Sequence, residues 1–199
     1  WLPGEIHHSL SINYSLPHTG CRAPSPVVYT YIVNPLPMPS ITGTANVCQG
    51  AVNVLYSTEF GGGSITGYQW TISSGGQILS GSGTDQILVK WNNPGAQNVS
   101  VNYTSSAGCT ASAPTVFPVT VNATPAPSIS GNALACVGST KNYTTETGFV
   151  NYVWSVSSNG TIISGQGTNS VQIQWNSVSS SESVSVIYND AIGCTPATA

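Results

Sequence analysis

The stretch Gln86-Ile87-Leu88-Val89-Lys90-Trp91-Asn92-Asn93-Pro94-Gly95, followed by Asn98-Val99-Ser100-Val101-Asn102-Tyr103, decides the fold. Ile87, Val89 and Trp91 share one face with Leu88 on the other. After a Pro-Gly turn, Val99, Val101 and Tyr103 repeat the period of two. Short alternating runs closed by turn residues indicate half-buried strands. Working outward, Val52 to Ser57, Gly67 to Ser73, Ile78-Leu79 and Val116 to Val121 also read as strands, with another near Ile41. Gly61-Gly62-Gly63, Ser74-Gly75-Gly76 and Gly81-Ser82-Gly83 supply turns, and no amphipathic helix of useful length interrupts them. About seven strands at this spacing predict an all-β, immunoglobulin-like sandwich.

The same order of rare residues recurs. Pro37-x-Pro39-Ser40-Ile41 returns as Pro125-x-Pro127-Ser128-Ile129, and Cys48-x-Gly50 as Cys136-x-Gly138. Tyr68-x-Trp70 returns as Tyr152-x-Trp154, Trp91-Asn92 as Trp175-Asn176, and Gly108-Cys109-Thr110 as Gly193-Cys194-Thr195. Trp1-Leu2-Pro3-Gly4, Ser9 to Tyr14 and Gly20-Cys21 match the late part of the same unit. The expected organisation is the C-terminal half of a repeat at 1–35, a complete repeat at 36–123, and a repeat lacking its last strand at 124–199. Alternate prolines at 35–39 and 125–127 favour extended, fairly stiff junctions, and they also suit the start of a strand at a sheet edge.

Composition narrows the function. Only 5% of the 199 residues are charged, and the net charge is −3. That is too sparse to track a phosphate backbone, so no nucleic acid is expected. No apolar run reaches the ~18 residues of a spanning helix, so no membrane insertion is expected. The His7, His8 and His18 side chains fall in the leading half-unit alone, so a shared function of the repeats cannot rest on histidine. Glu5, Glu59, Asp85, Glu146, Glu182 and Asp190 are scattered, with only Glu59 and Glu146 at matching places. No acid/base pair, nucleophile set or metal-ligand spacing stands out, so neither an enzyme nor a cofactor or metal is expected. Gly81-x-Gly83 and Gly165-x-Gly167 read as tight turns rather than phosphate cradles, because no helix follows.

The five cysteines are an odd count. In each unit one follows the opening strand and one follows the sixth strand, which suggests a shared pole. The expected pairs are Cys48–Cys109 and Cys136–Cys194, with the partner of Cys21 outside the chain; small unpaired thiols are the other reading. Bridges imply an oxidising compartment. Trp70, Trp91, Trp154, Trp175, Tyr103 and Tyr188 are candidate core residues, and the tryptophans could instead form a sugar-stacking platform.

Tyr-x-Trp on the third strand, a glycine turn, a late Val/Ile-x-Trp strand, Val-Ser-Val-x-Tyr and Gly-Cys-Thr together resemble the PKD-like and Ig-like repeats of Bacteroidota surface proteins. The Trp-x-Phe-Gly-Asp-Gly signature of PKD domains proper is replaced here by Trp70-Thr71-Ile72-Ser73-Ser74-Gly75. The resemblance implies a repeat segment of a large exported adhesin, of the gliding-motility type and the type IX export route, lying at the cell surface. Its partners would be neighbouring repeats, surface glycans or other cell-surface proteins. The alternative is a carbohydrate-binding accessory module of a secreted polysaccharide-degrading enzyme.

Overall fold

A computed structural model describes residues 6–178 and 181–196, with the side chains of residues 6 and 7 excepted. Glu5 and the Trp1-Leu2-Pro3-Gly4 motif lie outside the described residues, as does the His7 side chain. Among the described residues the regular structure is entirely β. The chain folds as immunoglobulin-like β-sandwich repeats.

Residues 36–123 carry eight strands: β3 (Thr42–Gly43), β4 (Asn46–Cys48), β5 (Val54–Ser57), β6 (Gln69–Ile72), β7 (Gly76–Ser80), β8 (Gln86–Trp91), β9 (Gly95–Asn102) and β10 (Thr115–Asn122). They form two four-stranded sheets, in the orders β3-β5-β8-β7 and β4-β10-β9-β6. The single opening strand read from the sequence is two. The chain pairs briefly with β5, then crosses at Thr44-Ala45 and runs parallel to β10. That switch leaves no periodic signature, because each half is only two or three residues long.

Alternation fills the space between the sheets. Ile87, Val89 and Trp91 of β8 point inward against Val99 and Val101 of β9, Val119 and Val121 of β10, and Tyr56 and Trp70. Both indole N–H groups of this unit find an acceptor: Trp70 Nε1 donates to the Thr84 carbonyl at 2.8 Å, and Trp91 Nε1 to the Tyr56 hydroxyl at 3.2 Å. The Thr84 carbonyl is presented by the Gly81 turn, where φ is +84° and a Cβ would stand 2.0 Å from the Gln86 carbonyl oxygen. Only glycine fits there. Gly165, at φ +88°, repeats the geometry beneath Trp154, whose Nε1 donates to the Thr168 carbonyl at 2.8 Å.

The third unit has β11 (Ser130–Gly131), β12 (Thr140–Thr144), β13 (Val150–Val156), β14 (Gly160–Ser164), β15 (Ser170–Trp175) and β16 (Val184–Asn189). One sheet, β11-β12-β15-β14, matches its counterpart; the other is only β13-β16. Segment 134–136, the counterpart of β4, pairs with no strand among the described residues. A groove opens there between Leu134-Ala135-Cys136 and Trp175, Val178 and Val184.

The leading segment is a single hairpin, β1 (Ile6–Ile12) with β2 (Val27–Val33). Its register is that of β9–β10: Leu10 faces Tyr29 and Ile12 faces Val27, as Val99 faces Phe117 and Val101 faces Thr115.

Candidate functional site

The chemistry of this chain is concentrated at the ends of its sandwiches, where linkers enter and cysteines sit. At the entry pole of the complete unit, Glu59 reaches back to the linker. Its carboxylate accepts the Ser40 N–H at 2.9 Å and the Thr58 hydroxyl at 2.6 Å, while its carbonyl accepts the Tyr68 hydroxyl at 2.9 Å. Glu146 does the same in the next unit. It accepts the Ser128 N–H at 3.2 Å, the Ser128 hydroxyl, and the Thr145 and Tyr188 hydroxyls at 2.6 and 2.8 Å. The Tyr152 hydroxyl donates to its carbonyl at 2.8 Å. Each glutamate thus clasps the residue just after the Pro-x-Pro linker to the body of the sandwich.

Electrostatics follow from these bonds. Partial burial pushes the Glu59 carboxyl up, but hydrogen bonds from Ser40 and Thr58 outweigh it and hold the group below its ordinary value. Hydrogen bonds from Ser128 and Thr145 hold Glu146 well below the carboxylate range. Burial, and then the Glu146 carboxylate, push the Tyr188 hydroxyl up to about 12. Burial and the charge of Glu59 push Tyr103 up in the same way. The sequence displayed Glu59 and Glu146 as the one matched pair of carboxylates. The matched Ser40 and Ser128 complete the signal, which pair-spacing rules for catalysis pass over.

The cysteines sit differently from the expected pattern. Cys48 is bonded to Cys194, with Cα atoms 5.5 Å apart, across two units. Cys109, Cys136 and Cys21 carry free thiols. The expected pairs Cys48–Cys109 and Cys136–Cys194 are therefore corrected. Cys48 faces Asn122 at the far end of β10, whereas Cys109 lies in the β9–β10 loop at the other end. The seven steps of β10 between those ends span about 23 Å, and a disulfide needs Cα atoms within about 7 Å. In the third unit, Cys136 lies by Trp175, at the Val184 end of β16, and Cys194 lies past Asn189, at its other end. First and second cysteines of one unit are at opposite poles. The expected shared pole fails because spacing along a sequence does not show which end of a sandwich a loop occupies.

Trp70, Trp91, Trp154, Trp175, Tyr103 and Tyr188 are all buried. Trp175 Nε1 donates to the Tyr143 hydroxyl at 3.1 Å, as Trp91 does to Tyr56. With their faces packed inside, these four indoles offer no stacking platform. Among the described residues, Phe60, Tyr14, Tyr29 and Tyr31 are exposed aromatic side chains. His8 stacks on Tyr31 at 5.5 Å across the hairpin. Among the described residues no three His, Cys, Asp or Glu side chains cluster as metal ligands, and no helix is long and apolar enough to cross a membrane.

Two sandwiches of one topology, in tandem and with matched clasps, define a modular β-repeat protein. The chain belongs to the PKD-like domain family, whose model matches it twice, over residues 34–119 and 122–199. The search of curated proteins found no match. Among solved structures, the fibronectin(III)-like modules of Clostridium thermocellum CbhA align over 79% of this chain and 88% of theirs, at 16% identity and a TM-score of 0.36. The D00-D0 domain of Intimin aligns over 76% of this chain and 98% of its own, at 12% identity and a TM-score of 0.38. The SGBP-B protein of a Bacteroides ovatus mixed-linkage glucan utilization locus, solved with a mixed-linkage heptasaccharide, aligns over 81% of this chain and 46% of its own, at 14% identity and a TM-score of 0.32.

Proposed function

We propose that this chain is a structural segment of a large exported protein, a series of spacer repeats that hold a functional end away from the cell, of the kind found in Bacteroidota surface adhesins. The observation that carries this reading is the bond between Cys48 and Cys194, which ties one unit to the next across a Pro-x-Pro linker. The clasps of Glu59 and Glu146 pin the same linkers at their exit. A disulfide fits an extracellular or secreted setting. We assign no catalytic role to this segment.

Small-angle scattering on the oxidised chain tests the reading. An elongated envelope with a maximum dimension near that of units placed end to end is expected. A compact particle with the radius of gyration of a single globule, about 16 Å for this length, overturns it.

A second reading rests on Phe60 and Tyr29, which are exposed and could stack on sugar rings. A glycan array with Phe60→Ala and Tyr29→Ala variants tests it. Binding that disappears in either variant supports a carbohydrate-binding accessory role, and no binding by the parent chain removes it.

A further inference from the structure

The bonded pair and the free cysteines occupy the same two kinds of seat. Cys48 sits before a glycine turn in which the Gly50 N–H donates to the Trp91 carbonyl at 2.7 Å and the Ala51 N–H to the Cys48 carbonyl at 3.0 Å. Cys136 sits before an equivalent turn: Gly138 N–H donates to the Trp175 carbonyl at 2.7 Å, and Ser139 N–H to the Cys136 carbonyl at 3.0 Å. Cys194 closes a loop in which Asp190 N–H donates to the Cys194 carbonyl at 3.1 Å and Gly193 N–H to the Asp190 carbonyl at 3.1 Å. Cys109 closes its counterpart, with Ser105 N–H on the Cys109 carbonyl at 2.8 Å and Gly108 N–H on the Ser105 carbonyl at 2.9 Å. The turn that follows Cys136 is therefore the turn that follows the bonded Cys48, although β10 also pairs with Cys48 and no described strand lies beside Cys136. The loop that ends at Cys109 is likewise the loop that ends at the bonded Cys194. Neither free thiol can reach the other cysteine of its own unit, for the reason of opposite poles given above.

We propose that Cys109 and Cys136 are half-sites of the same staple at neighbouring joints. Cys136 bonds the Gly-Cys cysteine of the unit that follows, and Cys109 bonds the Cys-x-Gly cysteine of the unit that precedes. Cys21, in the corresponding hairpin loop before the Ser15–Arg22 bridge, belongs to the second type. The inference rests on the array reading above. It converts the odd cysteine count into a rule: the first cysteine of each unit joins the second cysteine of the next, so every joint carries one covalent tie. At each joint two S–H bonds break and one S–S bond forms. The two electrons and two protons pass to a disulfide-bearing oxidant, such as oxidised glutathione or a thiol-disulfide oxidoreductase, which leaves as two thiols.

The test lengthens the chain by a second copy of residues 36–123 placed ahead of residue 124. Exposed positions in one copy carry the markers Val52→Ile and Val116→Ile. After oxidation with glutathione, alkylation and peptic digestion, mass spectrometry reads the connectivity. The expected result is Cys48 of the first copy joined to Cys109 of the second, and Cys48 of the second joined to Cys194. Cys21, the first Cys109 and Cys136 are then alkylated as thiols. A Cys48–Cys109 bridge within one copy overturns the proposal, as does recovery of both new-joint cysteines as thiols beside an intact Cys48–Cys194 bridge. Should the lengthened chain fail to fold, the same mapping on the 199-residue chain decides. There a Cys48–Cys194 peptide with alkylated Cys109 and Cys136 is expected, and a Cys48–Cys109 or Cys136–Cys194 peptide overturns the staple. Scattering that stays elongated with intra-unit bridges would sink the staple and leave the spacer reading standing.

Discussion

The hairpins β1–β2 and β9–β10 have one register and one alternation of apolar side chains, and opposite surroundings. Ile12 is 68% exposed, while Val101, at the matching position, is 0% exposed. Tyr31 and Val33 stand open where Val119 and Val121 are sealed. The difference lies outside the hairpins. Val101 is covered by the opposite sheet of its own unit, whereas among the described residues no second sheet lies over Ile12. A two-stranded ribbon has no interior of its own, so its apolar face gains stability only from a partner layer.

That contrast can be broken most severely at Trp91. Trp91→Ala removes a fully buried indole and its bond to Tyr56, and a loss of about 3–5 kcal/mol is expected in the complete unit. Tyr29→Ala, on the open hairpin, should leave the urea midpoint of that unit in place. Equal losses would mean that the hairpin is covered in solution. A milder pair uses matched positions. Val101→Ala should cost about 2 kcal/mol, and Ile12→Ala should stay within about 0.5 kcal/mol of the parent.

The smallest effect concerns the clasps that fasten the linkers. The carboxyls of Glu59 and Glu146 titrate lower in the folded chain than their ordinary value of 4.5. Their contribution is therefore fully present above that value and falls away as pH drops below it toward the folded value. Urea unfolding at pH 7, 5 and 3 should show an acid loss between the last two points. In the chain carrying both Glu59→Gln and Glu146→Gln that loss should shrink, and an unchanged loss would place the acid sensitivity elsewhere.

Much of the fold was readable because alternation reports burial directly. The β8 run Ile87 to Trp91 and the β9 run Val99 to Val101 show in their spacing which side chains face the core. Spacing does not report which pole a loop reaches. Cys48 and Cys109 follow strands of opposite direction at opposite ends, so their pairing could not be read from counting. The split between β3 and β4 was hidden for a related reason: two or three residues are too few to show a period. The clasp was half visible, as a pair of matched glutamates without an assigned task. The matched Ser40 and Ser128 stood in the recurring Pro-x-Pro-Ser-Ile motif. A backbone N–H donor has no residue signature, however, and hydroxyls are common in a chain about one-third Ser, Thr and Asn, so nothing joined them to the glutamates.

The short crossing from β3 to β4 has a mechanical side. It lays the entering strand beside the leaving strand, β10, in parallel over Asn46–Cys48 and Thr120–Asn122. A pull on the two ends of the complete unit drags these neighbours past each other, along the strands and across the bonds between them. The rungs then resist together, in shear. The antiparallel hairpin β1–β2 has the other geometry: tension on its two free ends opens one rung at a time, like a zip. The complete sandwich thus meets stretching with its hydrogen bonds acting in parallel.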